Sequence, residues 1–300
     1  MCRQEKRNQV ENPDLYKRTT TIMTISGMAL LYMLQRELLY PSNWPTGSRK
    51  FVSKPSEYGI PYSEIKLYTE DNVRLRAFVC KQPIDREAKK RPTVIMFHGN
   101  GGNMGHRLPI AKIFYTELKY NVILLSYRGY GRSEGKPAEK GLRIDAQTVL
   151  DYVSKHEIFK DSKIIIYGQS LGGAVAIDLV SKNESKVSAL IVENTFLSIP
   201  KLIPHLIPIL RYFSFLCWQN WPSEKSIQNI KFIPILFLSG TKDEIIPQDH
   251  MKGLFELTNT SSGKEWIEFS NGNHNNTISQ PGYYQYIRKF VKQYVDLDEV

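Results

Sequence analysis

Cysteine is scarce in this chain: Cys2, Cys80 and Cys217 are the three among 300 residues. Thiols so few and so scattered exclude a disulfide framework, and without a C-x-x-C pair the usual dithiol and zinc spacings are excluded too. Also missing are a P-loop Lys-Ser/Thr and a dinucleotide-type glycine spacing followed by a ribose-binding acid, so the glycines are not those of a nucleotide cradle. No internal repeat or low-complexity tract argues for a solenoid or a disordered tail. No nucleic-acid-binding motif and no basic helix interleaved with aromatics is present, so no nucleic acid is expected as a partner. No apolar run reaches the roughly 20 residues that cross a bilayer without adjustment.

What is present suits one large α/β domain plus an appendage, with 41% hydrophobic and 23% charged residues. The net charge of +10 is spread along the chain, as a solubilising surface or as an attraction to anionic lipid headgroups. From Thr19 to Leu34 the chain carries no charge, with Lys17 and Arg18 before it and Arg36 and Glu37 after. Sixteen such residues as a helix span about 24 Å, a little short of a ~30 Å hydrocarbon core. Tyr32, Tyr40 and snorkelling Lys17 and Arg36 would accommodate the mismatch. The segmentation expected is a basic tail on the cytosolic side over 1–18, a single-pass anchor over 19–40, a linker or irregular cover over 41–60, and the folded domain over 61–300.

Two other readings compete for the hydrophobic segment: a cleaved signal peptide, though no small-x-small site follows, and a helix capping the domain. Glu5, Glu11 and Asp14 argue against a mitochondrial presequence. The expected location is a membrane, crossed once, of the endoplasmic reticulum or another endomembrane. Arg3, Lys6, Arg7, Lys17 and Arg18 slightly outweigh Arg36, Arg49, Lys50 and Lys54, placing the N-terminus in the cytosol and the domain across the membrane.

Polar and apolar residues alternate over Glu64–Thr69 and Arg74–Cys80, and short apolar, β-rich runs follow at Thr93–Phe97, Asn121–Tyr127, Lys163–Tyr167, Ala189–Glu193, Pro234–Ser239 and Lys264–Phe269, mostly separated by helix-like segments. The first two flank Glu70-Asp71-Asn72 as an antiparallel pair; the rest read as parallel strands covered on both faces. The run Ile164–Gly173, I-I-I-Y-G-Q-S-L-G-G, puts Ser170 between a strand and a helix in a G-x-S-x-G pattern. Gly168 and Gly172 have no Cβ to clash in so tight a turn.

Together with His98–Asn103 (H-G-N-G-G-N), Tyr127–Gly135 (Y-R-G-Y-G-R-S-E-G), Glu193–Phe196 and Ser239–Pro247, this segment resembles the serine-esterase-like branch of the α/β-hydrolase superfamily. Within it the chain is similar to a small membrane-anchored group spanning fungal Bem-type and animal α/β-hydrolase domain-containing members, over residues 60–295. The resemblance implies an α/β-hydrolase fold: an eight-stranded, mostly parallel sheet, helices on both faces and a small cap, preceded by a hydrophobic N-terminal segment. It implies an ester or thioester hydrolase, and acyl-lipid or S-acyl protein substrates are known among relatives.

Such chemistry needs a nucleophile, a base, a carboxylate to orient the base and donors for the oxyanion. Ser170 is the nucleophile. Asp243, in G-T-K-D-E-I-I-P directly after a strand, is the orienting acid; Glu193, Glu244 and Asp249 are its rivals. His274, in F-S-N-G-N-H-N past the last strand, is the base, because His98, His106, His156, His205 and His250 all fall in other settings. The backbone N–H groups of Leu171 and Asn100 are the expected oxyanion donors. No metal or organic cofactor is implied. Between strands, 197–233 carries Pro200, Pro204 and Pro208 with Phe213, Phe215, Trp218 and Trp221, an aromatic cap whose inner face suits an acyl chain and whose outer face suits membrane lipid. The expected partners are thus an acyl-ester or thioester substrate and membrane lipid; a catalytically silent membrane-bound scaffold is the alternative.

Sequons stand at Asn183, Asn259 and Asn275, the last beside His274. With the domain across the membrane, glycosidase treatment of the protein from glycosylation-competent cells should raise its gel mobility; an unchanged mobility counts against that orientation.

Overall fold

None of the five residues of Thr93–Phe97 is exposed, and the same holds for Asn121–Ser126, Ile164–Gln169 and Ile235–Gly240. Strands this continuously apolar survive only where helices cover both faces of a sheet. In the computed structural model, which describes residues 26–29 and 32–295, they lie at the centre of one eight-stranded sheet. Its strands are β1 (Ser63–Tyr68), β2 (Arg74–Cys80), β3 (Thr93–Phe97), β4 (Asn121–Ser126), β5 (Ile164–Gln169), β6 (Ala189–Glu193), β7 (Ile235–Gly240) and β8 (Lys264–Phe269). They run in the order β1-β2-β4-β3-β5-β6-β7-β8. Only the pairs β1–β2 and β2–β4 are antiparallel. Every pair from β4 to β8 is parallel, so β3, β5, β6, β7 and β8 all deliver their carboxyl ends to one edge.

The sheet divides the core by the alternation of side chains along each strand. Ile166, Leu190 and Phe237 point to one face, with Val149 and Leu150 from the helix Glu139–Lys155 and Val175 and Leu179 from the helix Leu171–Asn183. Ile165, Ile191 and Leu236 point to the other, with Ile110 and Phe114 from the helix Leu108–Thr116 and Ile287 and Phe290 from the helix Tyr283–Tyr294. Each such side chain, fully buried, stabilises the fold by about 1.5–3 kcal/mol before the cost of ordering it.

Between β6 and β7 the cap begins as the helix Ile199–Leu206, which Pro208 ends. A 3-10 stretch follows over Pro208–Leu216, then short turns of helix at Ser223–Ser226 and Ile227–Asn229. Residues 41–60 are not a free tether: Val52 and Ile60 are buried in the domain, and Trp44 lies against Gly101. The basic tail expected over 1–18 lies outside the described residues, as do residues 19–25, 30 and 31 of the anchor expected over 19–40. Among the described residues no helix is long and apolar enough to cross a membrane. What is described of that segment includes a helix over 32–39, which ends at buried Tyr40 and is bonded to the domain: the Arg36 Nε donates to the Pro137 carbonyl at 3.0 Å.

The β4 end is clamped by charge. Arg128 donates to Asp145 through its backbone N at 2.7 Å and its Nε at 2.9 Å, while its guanidinium tips meet Asp71 in the β1–β2 turn at 2.6 and 2.9 Å. Burial pushes the Asp145 carboxyl up to about 6, and Arg128 is the charge that opposes this. Arg128→Met, which removes that charge, should cost about 3–5 kcal/mol in urea unfolding. The orphaned carboxyl would bind its proton more tightly folded than unfolded, so the loss should be smaller at pH 5 than at pH 8. Equal losses at both pH values would contradict this account.

Candidate active site

Ser170 stands where β5 turns into the helix Leu171–Asn183, with φ 55° and ψ −122°. A non-glycine residue with positive φ is strained, at a cost of about 1–3 kcal/mol, and persists only where its surroundings over-determine it. Here the Ser170 N–H donates to the Glu193 carbonyl at 2.9 Å and the Thr195 hydroxyl donates to the Ser170 carbonyl at 2.7 Å. The turn closes only because its neighbours lack side chains. A Cβ on Gly168 would sit 2.1 Å from the Gly172 oxygen, and one on Gly172 would sit 2.1 Å from the Phe97 oxygen.

The structure brings Ser170, His274 and Asp243 together from three strand ends. His274 Nε2 is 3.1 Å from Ser170 Oγ, and its Nδ1 is 2.8 Å from Asp243 Oδ2. With Nδ1–H donated to the carboxylate, the Nε2 lone pair faces the serine hydroxyl. The other Asp243 oxygen accepts from the N–H groups of Ile245 and Ile246 at 2.9 and 2.8 Å, which locks the carboxylate against rotation. The loops bearing Asp243 and His274 are joined directly: the Lys242 N–H donates to the Gly272 carbonyl at 2.9 Å.

The rival acids lie elsewhere. Glu193 is fully buried, accepts from the hydroxyls of Tyr167 and Tyr283 at 2.5 Å each, and has its pKa raised by burial. Glu244 accepts from the His274 backbone N–H at 3.3 Å rather than from the ring, and Asp249 sits in the first turn of the helix Gln248–Leu257. His98 is buried among Tyr127 and Tyr130, and burial drives its pKa down to about 3, so it is neutral. His250 accepts from the Leu197 N–H, and His156 stacks on Phe159.

Asn100 and Leu171 both border the cleft that holds Ser170 and His274. Leu171 is the first helical residue, so its N–H has no carbonyl within the helix to bond. The Asn100 loop is propped from below, with the Tyr130 hydroxyl donating to its carbonyl at 2.8 Å and the Tyr127 hydroxyl donating to that of His98 at 3.0 Å. That gives the Y-R-G-Y motif a supporting role that its sequence did not reveal.

Gln169 is a second support missed from sequence. Its side-chain amide donates to Glu193 and to the His274 carbonyl, each at 3.2 Å, and accepts from Arg107 at 2.6 Å. The signal available was a polar residue closing an otherwise apolar strand. Arg107 had none.

The cleft, of about 360 Å³, is walled by Tyr40, Trp44, Phe196, Ile199, Leu202 and Trp221 among others. A wider cleft of about 660 Å³ lies away from Ser170, and there Arg143 and Lys182 are both paired with Asp178. No group of three or more His, Cys, Asp or Glu side chains could hold a metal among the described residues. A serine hydroxyl aligned on a carboxylate-held imidazole, in a largely apolar cleft, is equipped to attack a carbonyl carbon.

Residues 92–213 match the model of the alpha/beta hydrolase fold family. The chain is similar to the protein bem46 of Schizosaccharomyces pombe, 46% identical over 272 residues and 90% of each chain. It is similar also to YNL320W of Saccharomyces cerevisiae, named as a membrane protein, with 43% identity over 90% of this chain and 93% of that one. WAV2 of Arabidopsis thaliana, an alpha/beta hydrolase domain-containing protein, is 37% identical over 91% and 92%. Among solved structures, an esterase of Pyrococcus furiosus superposes with a TM-score of 0.65 at 18% identity, over 80% of this chain and 93% of that one. An alpha-beta hydrolase of Vibrio vulnificus gives a TM-score of 0.68 at 23% identity, over 85% and 93%.

Replacing Gly172 with alanine should destabilise the protein by about 3 kcal/mol or more, read as a fall of roughly 6 °C or more in melting temperature. An unshifted melting curve would show that the elbow can relax around a methyl group.

Proposed function

The chain belongs to the α/β-hydrolase family, and we propose that it is a serine hydrolase of carboxylic esters or thioesters that works through an acyl-enzyme on Ser170. The observation that carries this reading is the unbroken line from Ser170 Oγ to His274 Nε2 at 3.1 Å and from His274 Nδ1 to Asp243 Oδ2 at 2.8 Å.

As Oγ attacks the carbonyl carbon, His274 Nε2 takes the hydroxyl proton, and the Asp243 carboxylate stabilises the imidazolium so formed. Negative charge gathers on the former carbonyl oxygen, where the N–H groups of Leu171 and Asn100 are its donors. Collapse of this intermediate breaks the bond to the leaving oxygen or sulfur, which receives the proton from His274. Water then enters, loses a proton to the same nitrogen and attacks the acyl carbon. Ser170 leaves with the proton returned, and a carboxylic acid departs.

The setting is membrane-associated on this reading. An uncharged run, Thr19–Leu34, leads into the helix over 32–39, and the cap beside it leaves Ile207, Ile209, Tyr212 and Phe215 in water. The yeast relative named as a membrane protein supports a membrane setting; the location proposed here is that of a single-pass protein of an endomembrane such as the endoplasmic reticulum.

Ser170→Ala and His274→Ala should each lower p-nitrophenyl ester turnover by on the order of 10⁵–10⁶-fold, and Asp243→Asn by about 10⁴-fold, with unchanged circular dichroism. A fluorophosphonate probe should label the wild type and not Ser170→Ala. Turnover retained in Ser170→Ala defeats the mechanism; a wild type that neither reacts with the probe nor turns over esters would favour a silent scaffold.

A further inference from the structure

A second groove adjoins the cleft over Ser170. Leu38, Leu39 and Leu206 border both, and the groove, of about 240 Å³, lies between the helix over 32–39 and the cap. Ile203, Leu210 and Phe213 complete most of the second groove's wall. Its two polar lining residues are already engaged. The Gln35 amide donates to the Leu216 carbonyl at 2.8 Å and accepts from the Trp218 N–H at 2.9 Å, and the Cys217 thiol donates to the Gln219 carbonyl. Among the described residues, a guest in this groove therefore finds mostly methyl and methylene groups.

Such a lining would strip water from a polar leaving group without replacing its hydrogen bonds, while a hydrocarbon chain loses nothing there. Leu38 and Leu206 stand 63% and 47% exposed, large apolar surface that a chain lying along the groove would cover. Both volumes fall in or near the range of small-molecule sites, and the three shared leucines place the two side by side.

We propose that this second groove receives the acyl chain of the substrate, so that the protein acts on long-chain acyl esters or thioesters and its N-terminal helix forms one wall of the substrate site. The inference rests on the Ser170 hydrolase reading and extends it. The scissile carbonyl lies at Ser170 and the chain runs past Leu206 and out between Leu38 and Leu210. The helix over 32–39, tied to the cap through Gln35, is then a specificity element as well as the lead-out of the hydrophobic segment.

The test uses the full-length protein and p-nitrophenyl acetate, octanoate and dodecanoate, with acetate esters of octanol and dodecanol alongside. kcat/KM should rise by roughly fourfold per buried methylene of the acyl chain and stay nearly flat as the alcohol lengthens. Leu38→Trp and Leu210→Trp, which fill the groove from opposite walls, should each lower the dodecanoate-to-acetate ratio of kcat/KM at least about tenfold. Leu38 is exposed enough for its variant to fold even if Leu210→Trp does not. A rate that follows the alcohol chain instead, or a ratio unchanged in Leu38→Trp, overturns the proposal. Ser170→Ala run in parallel separates the two failures: a wild type no faster than this variant on every ester sinks the hydrolase reading itself.

Discussion

A Cβ placed on Gly168 would sit 2.1 Å from the Gly172 oxygen, and one placed on Gly172 would meet the Phe97 oxygen at the same distance. That contact, backbone against backbone with no side chain between, brings β3, β5 and the helix Leu171–Asn183 together at one point. It forces Ser170 into its positive φ and sets the first turn of the helix beside the loop that follows β3. The strain is held by the sheet: Ser170 is bonded to β6 through Glu193, and β5 has parallel partners on both sides. Because β7 and β8 run the same way, the loops carrying Asp243 and His274 rise on the same edge as the serine.

Much of this was legible in the sequence because it is carried by local pattern. Eight runs became eight strands, with bounds differing by a residue or two, the central β3, β4, β5 and β7 free of charge because both their faces are covered. Gly168, Ser170 and Gly172 announced their turn through residue size alone. The positions of Asp243 and His274 just past strands followed once those strands were recognised.

The supporting contacts were not legible, for the opposite reason. The Gln169 amide joins Arg107, Glu193 and the His274 carbonyl, four positions spread over more than 160 residues, and no spacing rule connects them. Glu193 looked like a rival acid from its place at a strand end. In the fold its carboxyl faces Tyr167 and Tyr283, inside the core on the side of the helix Tyr283–Tyr294. Likewise, nothing local showed that the helix over 32–39 would lie on the cap. Its bonds through Gln35 and Arg36 reach residues 101 to 183 positions away. The segment between that helix and β1 has few regular elements, yet Val52, Ile60 and Ser48 are buried, so it closes the domain rather than tethering it.

Trp44 lies on this closing segment, its carbonyl accepting from the Gly102 N–H at 2.7 Å. Its indole occupies the space a side chain at Gly101 would need, 2.9 Å from where a Cβ would begin. Positions 44 and 101 therefore compete for one volume. In related chains a bulky ring at the first should travel with glycine at the second, while a lineage with a small residue at 44 is free to carry alanine or serine at 101. Such covariation would tie a stretch outside the sheet to the glycine-rich loop across more than fifty residues of chain.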